Sequence, residues 1–130
     1  MDNLQIVKEV YHLFGEKNVP ALLSHFDKDI QFVRPDNADI PFAGTFSGID
    51  GLIKMFTIIS QSIRLKSFTH EKFFVNENMV VVLGSDTAEV ITTGKTYTST
   101  WVQAFTLKDS KIIHVKVYLD TLTIANAFRT

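Results

Sequence analysis

The sequence contains no cysteine, which excludes disulfides, thiol catalysis and thiolate metal sites. It also lacks an excess of charge of either sign, since the formal net charge is −1. No global field therefore attracts nucleic acid or an anionic membrane, and we expect neither as a partner. No apolar run approaches the roughly 20 residues that span a bilayer, and no signal peptide is recognisable. We expect a cytoplasmic protein, although a mature secreted chain would look the same.

Phenylalanine is abundant, with 11 copies in a sequence that is 45% hydrophobic. Because Phe is bulky and carries no polar atom, it suits a broad core, an apolar cavity wall or a subunit interface. With 130 residues the chain is long enough for one substantial core. We expect a single domain over residues 1–130.

Apolar residues at helical spacing predict three helices in the first half of the chain. Asp2 or Asn3 can cap the first, Asn18 the second and Asp50 the third. Residues 35–48, rich in Pro, Gly, Asp and Asn, are predicted as a long irregular crossing. A short strand at 30–34 precedes it, and period-two patterns predict four further strands at 67–75, 79–91, 97–107 and 112–119.

This order of elements indicates an α+β fold, with a curved antiparallel sheet wrapped around N-terminal helices and a short C-terminal helix. The last hairpin decides what lines its interior, because a slip of one residue moves every side chain to the other face. In one register a two-residue turn pairs Lys108 with Lys111. In the other, residues 109–111 form a three-residue loop.

The second register gathers the apolar side chains of both strands and one amide onto a single face: Trp101, Gln103, Phe105, Leu107, Ile113, Val115, Val117 and Leu119. Burial favours it, since each large apolar side chain removed from water contributes about 1.5–3 kcal/mol. We therefore predict an apolar wall that carries one hydrogen-bonding group, as in many small-molecule pockets.

Four segments carry a resemblance to a known family: IPFAGTFSG (40–48), TGK (93–95), WVQAF (101–105) and YLDT (118–121). With the order of elements, they resemble the cone-shaped, cystatin-like fold of nuclear transport factor 2, ketosteroid isomerase, limonene epoxide hydrolase and SnoaL-type polyketide cyclases. The chain is most similar to SnoaL-like, ketosteroid isomerase-related proteins. This fold hosts both enzymes and non-catalytic binders, so the resemblance alone does not select a reaction.

Ketosteroid isomerase uses a carboxylate base, a Tyr hydroxyl and a protonated acid. The resemblance places these roles on Arg34, Val10 and Gln103. A guanidinium does not abstract protons at neutral pH and Val10 has no donor, so steroid isomerase activity is not expected. Tyr11 adjoins the donor position, but one residue along a helix turns a side chain by roughly 100°.

In SnoaL-type cyclases an acid near the end of the last strand transfers a proton, and the resemblance places this acid/base role on Asp120. The simpler alternative is that Asp120 caps the helix that begins at Thr121. Relatives often carry His at the position of Gln103. Because Gln cannot shuttle a proton, Gln103 is predicted either to donate its amide to a substrate carbonyl or to hold a neighbouring backbone group.

Eight residues are candidates for contacting a ligand: Phe32, Arg34, Phe56, Trp101, Gln103, Phe105, Val115 and Val117. Arg34 could instead pair with Asp36 or Asp39 at the surface. The four histidines lack metal-ligand spacing, and we expect neither a metal nor a cofactor.

Three functions remain open from the sequence. The first is a cofactor-free isomerase- or cyclase-type enzyme acting on a small hydrophobic, carbonyl-bearing molecule. The second is a binder of such a molecule without chemistry, and the third is a dimeric interaction module. The family resemblance implies a homodimer through the outer sheet face, which would show Val102, Ala104, Thr106, His114, Lys116 and Tyr118.

Overall fold

The structure is a computed structural model of residues 1–130. Its elements in chain order are α1 (Asn3–Gly15), α2 (Val19–Leu23), β1 (Phe26–Arg34), β2 (Gly44–Ser47), α3 (Gly48–Ser62), β3 (Ile63–Asn76), β4 (Met79–Val90), β5 (Thr96–Lys108), β6 (Lys111–Leu119) and α4 (Thr121–Phe128). The predicted α+β class, with helices first and a short helix last, is confirmed. No helix has both the length and the apolar character needed to cross a bilayer.

Two of the three predicted helix caps are present. Asp2 forms a capping box with Gln5, in which each side chain accepts from the other residue's backbone N–H at 2.8 Å. Asn18 caps α2 through the backbone N–H of Ala21. The third cap is wrong, because α3 begins after Ser47 and Asp50 lies in its first turn. There the carboxylate still favours the helix, whose N-terminal end carries partial positive charge.

The predicted crossing at 35–48 contains a strand that the sequence pattern did not indicate. β2 pairs antiparallel with β1, and Arg34 lies opposite Gly44. Strand β2 is only four residues long and begins with a glycine, so it shows no measurable alternation. Strand β1 begins at Phe26, four residues before the predicted start at residue 30, and helix α2 therefore ends already at Leu23.

The six strands form one sheet in the order β2-β1-β6-β5-β4-β3. All neighbours are antiparallel except β1 and β6, which run parallel. The helices pack on one face, and the largest buried cluster lies between that face and helices α1, α2 and α3. Strand β3 is an edge strand, and Lys66 and Glu71 are extra residues in its pairing with β4.

The final hairpin combines features of both registers. Lys108 pairs with Lys111 across a two-residue turn. Its central residues, Asp109 and Ser110, have φ of 51° and 63°, as a type I′ turn requires. The predicted three-residue loop is therefore wrong.

A β-bulge just past the turn restores the predicted face. Leu107 lies opposite Ile112 but Thr106 lies opposite His114, so Ile113 is an extra residue. Beyond it, Phe105 faces Val115 and the strands stay in step to their ends. The predicted inward face is confirmed for three cross-strand pairs: Phe105 with Val115, Gln103 with Val117 and Trp101 with Leu119. The prediction is wrong for Ile113, because Ile112 faces Leu107 in its stead.

Gly84 makes room for the only tryptophan. It lies opposite Trp101 in the β4–β5 pairing. A Cβ atom built at Gly84 would overlap both the indole ring and the backbone oxygen of Thr69. The indole therefore lies against bare backbone, and any side chain at this position would displace it.

Candidate ligand-binding cavity

A cavity of about 110 Å³ opens between the helices and the inner face of the sheet. It is lined by 22 residues, of which 18 are hydrophobic. The four polar lining residues are Arg34, Asp86, Ser99 and Gln103. A mostly apolar wall with a few convergent polar groups is the usual composition of a small-molecule site.

Seven of the eight residues suggested as ligand contacts line this cavity: Phe32, Arg34, Phe56, Trp101, Gln103, Phe105 and Val117. The eighth, Val115, is fully buried in the core but does not reach the cavity. Its inward direction is as expected, but its side chain is covered by other core residues and cannot touch a ligand.

Asp120, suggested as the catalytic acid/base, lies outside the cavity at an exposed position. Its carboxylate caps α4, accepting from the backbone N–H of Thr123 at 3.1 Å and from the Thr123 hydroxyl at 2.6 Å. These hydrogen bonds lower the pKa of Asp120. The alternative role as a helix cap is thus the one that the geometry displays, and a carboxylate held in this way at the surface is poorly placed for proton transfer in the cavity.

Gln103 lies in the cavity wall, where Tyr11 holds it, although the family resemblance gave Tyr11 no role. The hydroxyl of Tyr11 donates to Oε1 of Gln103 at 2.6 Å. Burial raises the pKa of Tyr11, so the hydroxyl keeps the proton that this hydrogen bond requires. With its oxygen occupied, the amide presents its nitrogen, which has no protein acceptor, to the cavity.

Trp101 supplies a second donor close by. Its ring is buried and stacks on Phe68, with centroids 4.9 Å apart. The indole Nε1 is also buried and has no hydrogen-bond partner. A buried N–H without an acceptor costs free energy, so this atom marks a place where a ligand acceptor would be stabilised.

Arg34 lines the cavity and does not form the alternative surface ion pair with Asp36 or Asp39. Asp39 instead pairs with Arg129 at 2.8 Å, and Arg34 takes part in no ion pair. The Arg34 guanidinium lies 5.2 Å from the centre of the Phe42 ring. Burial lowers the pKa of Arg34 to about 10, which leaves the guanidinium charged at neutral pH.

Asp86, on β4, is the cavity carboxylate that sequence reasoning missed. Its Oδ1 is buried and has no hydrogen-bond partner. Burial raises the pKa of Asp86 to about 6, against a partial lowering by the charge of Arg34. A carboxyl that titrates close to neutral pH in an apolar cavity can both take up and release a proton.

Two further polar groups flank Asp86 on β5. Ser99 lies directly opposite Asp86 across the strand pair, and its hydroxyl donates to the backbone oxygen of Thr100. Tyr97 also lines the cavity, where burial and the negative charge of Asp86 raise its pKa. Its hydroxyl therefore stays protonated.

The alternation of β4 contained the signal for Asp86. Every second residue of this strand faces inward, and the set reads Val80, Val82, Gly84, Asp86, Ala88 and Val90. One acid in an otherwise apolar inward row is unusual, because burying a carboxylate is costly. No group of three or more potential ligand side chains is placed to hold a metal ion.

The model of a family described as SnoaL-like domain matches residues 7–115. The chain belongs to the SnoaL-like family. The resemblance noted from the sequence is thereby confirmed. Among curated proteins, none gives a significant match.

Several solved structures share the whole fold. An NTF2-like protein from Burkholderia xenovorans is 29% identical to this chain, and the two superimpose with a TM-score of 0.87. The match covers 98% of this chain and 95% of the Burkholderia protein. An NTF2-like protein of unknown function from Burkholderia pseudomallei is 21% identical with full coverage of both chains and a TM-score of 0.91. The structure of TerC co-crystallised with polyporic acid is 23% identical, covers 98% of both chains and gives a TM-score of 0.82. The nuclear transport factor 2-like fold is confirmed.

We predict that Asp86→Asn stabilises the protein at about pH 8 and has little effect at about pH 4. The pKa of Asp86 is about 6 in the folded chain against an ordinary value of 3.8. Ionisation therefore costs folding free energy as the pH rises through this interval, and a neutral amide avoids that cost. Because the residue is partly exposed, we expect about 1–2 kcal/mol, less than the full shift implies.

Chemical denaturation of both proteins at the two pH values measures this difference. The attraction of Arg34 is already contained in the pKa of Asp86, so it does not change the expected sign. A stability difference that does not vary with pH would show that the Asp86 carboxylate is not desolvated in the folded chain.

Proposed function

We propose that this SnoaL-like protein binds a small hydrophobic, carbonyl-bearing molecule in the cavity. The observation that carries the proposal is the pair of unused N–H donors in a mostly apolar wall, Nε1 of Trp101 and the amide nitrogen of Gln103. A carbonyl oxygen is the acceptor that such a pair would recognise, since it has two lone pairs and no proton of its own.

The two donors belong to successive inward positions of one strand, and we expect one ligand oxygen to reach both. Trp101 and Gln103 are two residues apart on β5 and face the same side, which separates their Cα atoms by about 6.6 Å. The hydrogen bond from Tyr11 fixes the amide orientation before a ligand arrives. Binding then loses little side-chain entropy, because the donor is already in place.

The apolar part of the cavity selects the remainder of the ligand. Aromatic side chains from both layers, among them Phe14, Phe56, Phe68 and Phe105, surround the polar groups. TerC, a relative of the same fold, was crystallised with polyporic acid, which supports the idea that such an interior can hold an organic molecule. We therefore expect aromatic ketones to be better ligands than aliphatic ones.

We predict that the protein binds deoxybenzoin, a diphenyl ketone, more tightly than bibenzyl, the hydrocarbon without the carbonyl. Because the cavity is small and partly open, we expect one phenyl ring and the carbonyl to enter it and the other ring to lie at its mouth. The preference should be about tenfold, the value of one or two neutral hydrogen bonds made in an apolar site. Gln103→Leu should reduce it to a few-fold and leave the affinity for bibenzyl nearly unchanged. Quenching of Trp101 fluorescence and titration calorimetry measure the affinities, since Trp101 is the only tryptophan.

Gln61→Leu is the matched control, because Gln61 is exposed on α3 and distant from the cavity wall. It should preserve both affinities. Equal binding of ketone and hydrocarbon by the unmodified protein would contradict carbonyl recognition, and binding of neither would contradict the proposed function altogether.

A second candidate function, a cofactor-free isomerase- or cyclase-type enzyme, is favoured by one observation. Asp86 is a carboxylate with a pKa of about 6 in the same cavity as the two donors. Its carboxylate could take a proton from the carbon beside a carbonyl, while the C–H electron pair becomes part of an enolate. Trp101 and Gln103 would stabilise the enolate oxygen, and protonated Asp86 would return the proton to carbon.

We predict that the protein accelerates exchange of the methylene hydrogens of deoxybenzoin in deuterium oxide, followed by proton NMR. Asp86→Asn should reduce the exchange rate by at least about a hundredfold, because the amide has no basic lone pair at neutral pH. Asp120→Asn discriminates between the two acids and should leave the rate unchanged. Loss of exchange in Asp120→Asn alone would restore the role suggested by the family resemblance. Binding without any exchange would favour the non-catalytic function.

We also propose a homodimer through the outer face of the sheet, which would be compatible with an open cavity on the inner face. The row formed by Leu83, Val102 and Tyr118 crosses three strands on that face, and Tyr118 is 52% exposed. Phe74 on β3 is 54% exposed. Apolar side chains at the centre of a broad sheet face support a self-complementary contact.

We predict that size-exclusion chromatography with light scattering gives twice the mass of one chain. Val102→Glu should give the mass of one chain, because the contact would bury a carboxylate without a partner. Leu122→Glu is the control, since Leu122 is 65% exposed on α4, away from that sheet face. A single-chain mass for the unmodified protein would refute the dimer.

A further inference from the structure

We propose that Arg34 and Asp86 bind a hydroxyl group of the ligand, so that the molecules recognised by this cavity are hydrophobic hydroxyketones. The inference rests on the proposed carbonyl recognition by Trp101 and Gln103 and adds a second polar contact to it. It is carried by two opposite charges that share one apolar cavity without touching each other.

Neither charged group is satisfied by the protein. The two Arg–carboxylate ion pairs of the chain, Arg64–Glu89 and Arg129–Asp39, lie elsewhere, and neither Arg34 nor Asp86 forms one. The Oδ1 atom of Asp86 is buried without any hydrogen-bond partner. Both residues are partly buried, and keeping the two opposite charges apart costs free energy that a direct contact would recover. A ligand group placed between them would recover it instead.

A hydroxyl group is the simplest chemical group that satisfies both residues. Its oxygen can accept from the guanidinium of Arg34, and its proton can be donated to the carboxylate of Asp86. A carbonyl could satisfy Arg34 only. A ligand anion would be attracted by Arg34 but repelled by Asp86, which would have to take up a proton to admit it. The hydroxyl leaves the net charge of the cavity unchanged.

The sheet register fixes how far this hydroxyl lies from the carbonyl. Asp86 is directly opposite Ser99, which precedes Trp101 by two residues on the same face of β5. Asp86 and Trp101 are therefore diagonal neighbours on the inward face of the β4–β5 pair, about 7–8 Å apart at the backbone. Side chains converging from adjacent positions can reach neighbouring carbons of one ligand. Ser99 does not compete, because its hydroxyl is already donated to Thr100.

Benzoin tests the inference, because it is deoxybenzoin with a hydroxyl on the carbon beside the carbonyl. We expect benzoin to bind about tenfold more tightly than deoxybenzoin, since hydrogen bonds to charged groups are stronger than neutral ones. Benzil, in which a second carbonyl replaces the hydroxyl, should lose this gain because it has no proton for Asp86. Calorimetry and Trp101 fluorescence measure all three affinities.

Variants at the two charged residues should remove the hydroxyl preference without abolishing ketone binding. Asp86→Ala is expected to bring the ratio of benzoin to deoxybenzoin affinity close to one, and Arg34→Met to lower it severalfold. Asp86→Asn, which preserves the shape of the side chain, guards against a packing defect and should also reduce the ratio. Asp29→Ala, an exposed acid outside the cavity, should leave the ratio unchanged.

The outcomes separate this inference from the proposed function. If deoxybenzoin binds but benzoin binds no better, or if the preference survives Asp86→Ala, the hydroxyl contact is refuted while carbonyl recognition stands. If diphenylacetate binds more tightly than benzoin with uptake of a proton, the two residues recognise an anion and the inference is wrong. If neither ketone binds, both proposals fail.

Discussion

The pairing of β5 with β6 decides what faces the interior of this protein. The type I′ turn alone would place His114, Lys116 and Tyr118 beside Trp101 and Gln103. One extra residue, Ile113, reverses the alternation and turns Val115, Val117 and Leu119 inward. A bulge commonly bends a strand and increases its twist, so the same residue also contributes to the curvature of the sheet around the helices. The apolar wall and its position thus share one local cause.

Next to this apolar wall, each polar group has a large effect on the free energy of folding and of ligand binding. In a low-dielectric interior, an unpaired donor or charge costs more than it would at the surface. Trp101 and Asp86 each retain a buried polar atom without a partner, and Arg34 retains a charge without an ion pair. Tyr11 and Gln103 satisfy each other only in part. Such groups lower stability in the empty protein, and a ligand that complements them would return that free energy as affinity and selectivity.

The sequence predicted the long strands well, because their alternation of apolar and polar residues is strong. It predicted individual capping residues well, because capping depends on local side-chain chemistry. The capping residues Asp2 and Asn18 and the four long strands follow from local rules. β2 could not be found, because a four-residue strand has no measurable period and depends on pairing with β1. The parallel pairing of β1 with β6 joins residues that are more than 80 positions apart in sequence, such as Phe32 and Val115, and no local pattern encodes it.

The sequence predicted most of the residues that line the cavity, but it did not predict the polar roles of Asp86 and Tyr11. Gln103 and Trp101 stood out as polar or amphipathic residues in an apolar alternation, and the same reasoning applied to β4 would have found Asp86. The role of Tyr11 was not predictable from helix rotation alone, because its long side chain reaches Gln103 although one residue along a helix turns a side chain by roughly 100°. Asp120 was considered because of its place in the family pattern, and that place is equally the start of a helix.

Strand β3 leaves a row of backbone amides and carbonyls on the open border of the sheet, where a foreign strand could attach. Lys66 and Glu71, the two extra residues in its pairing with β4, interrupt that row at two points. Charged side chains and β-bulges commonly protect such borders, because they prevent a second chain from forming backbone hydrogen bonds along the full length of the strand. The protein can therefore keep a long, largely solvated strand without inviting fibre-like growth.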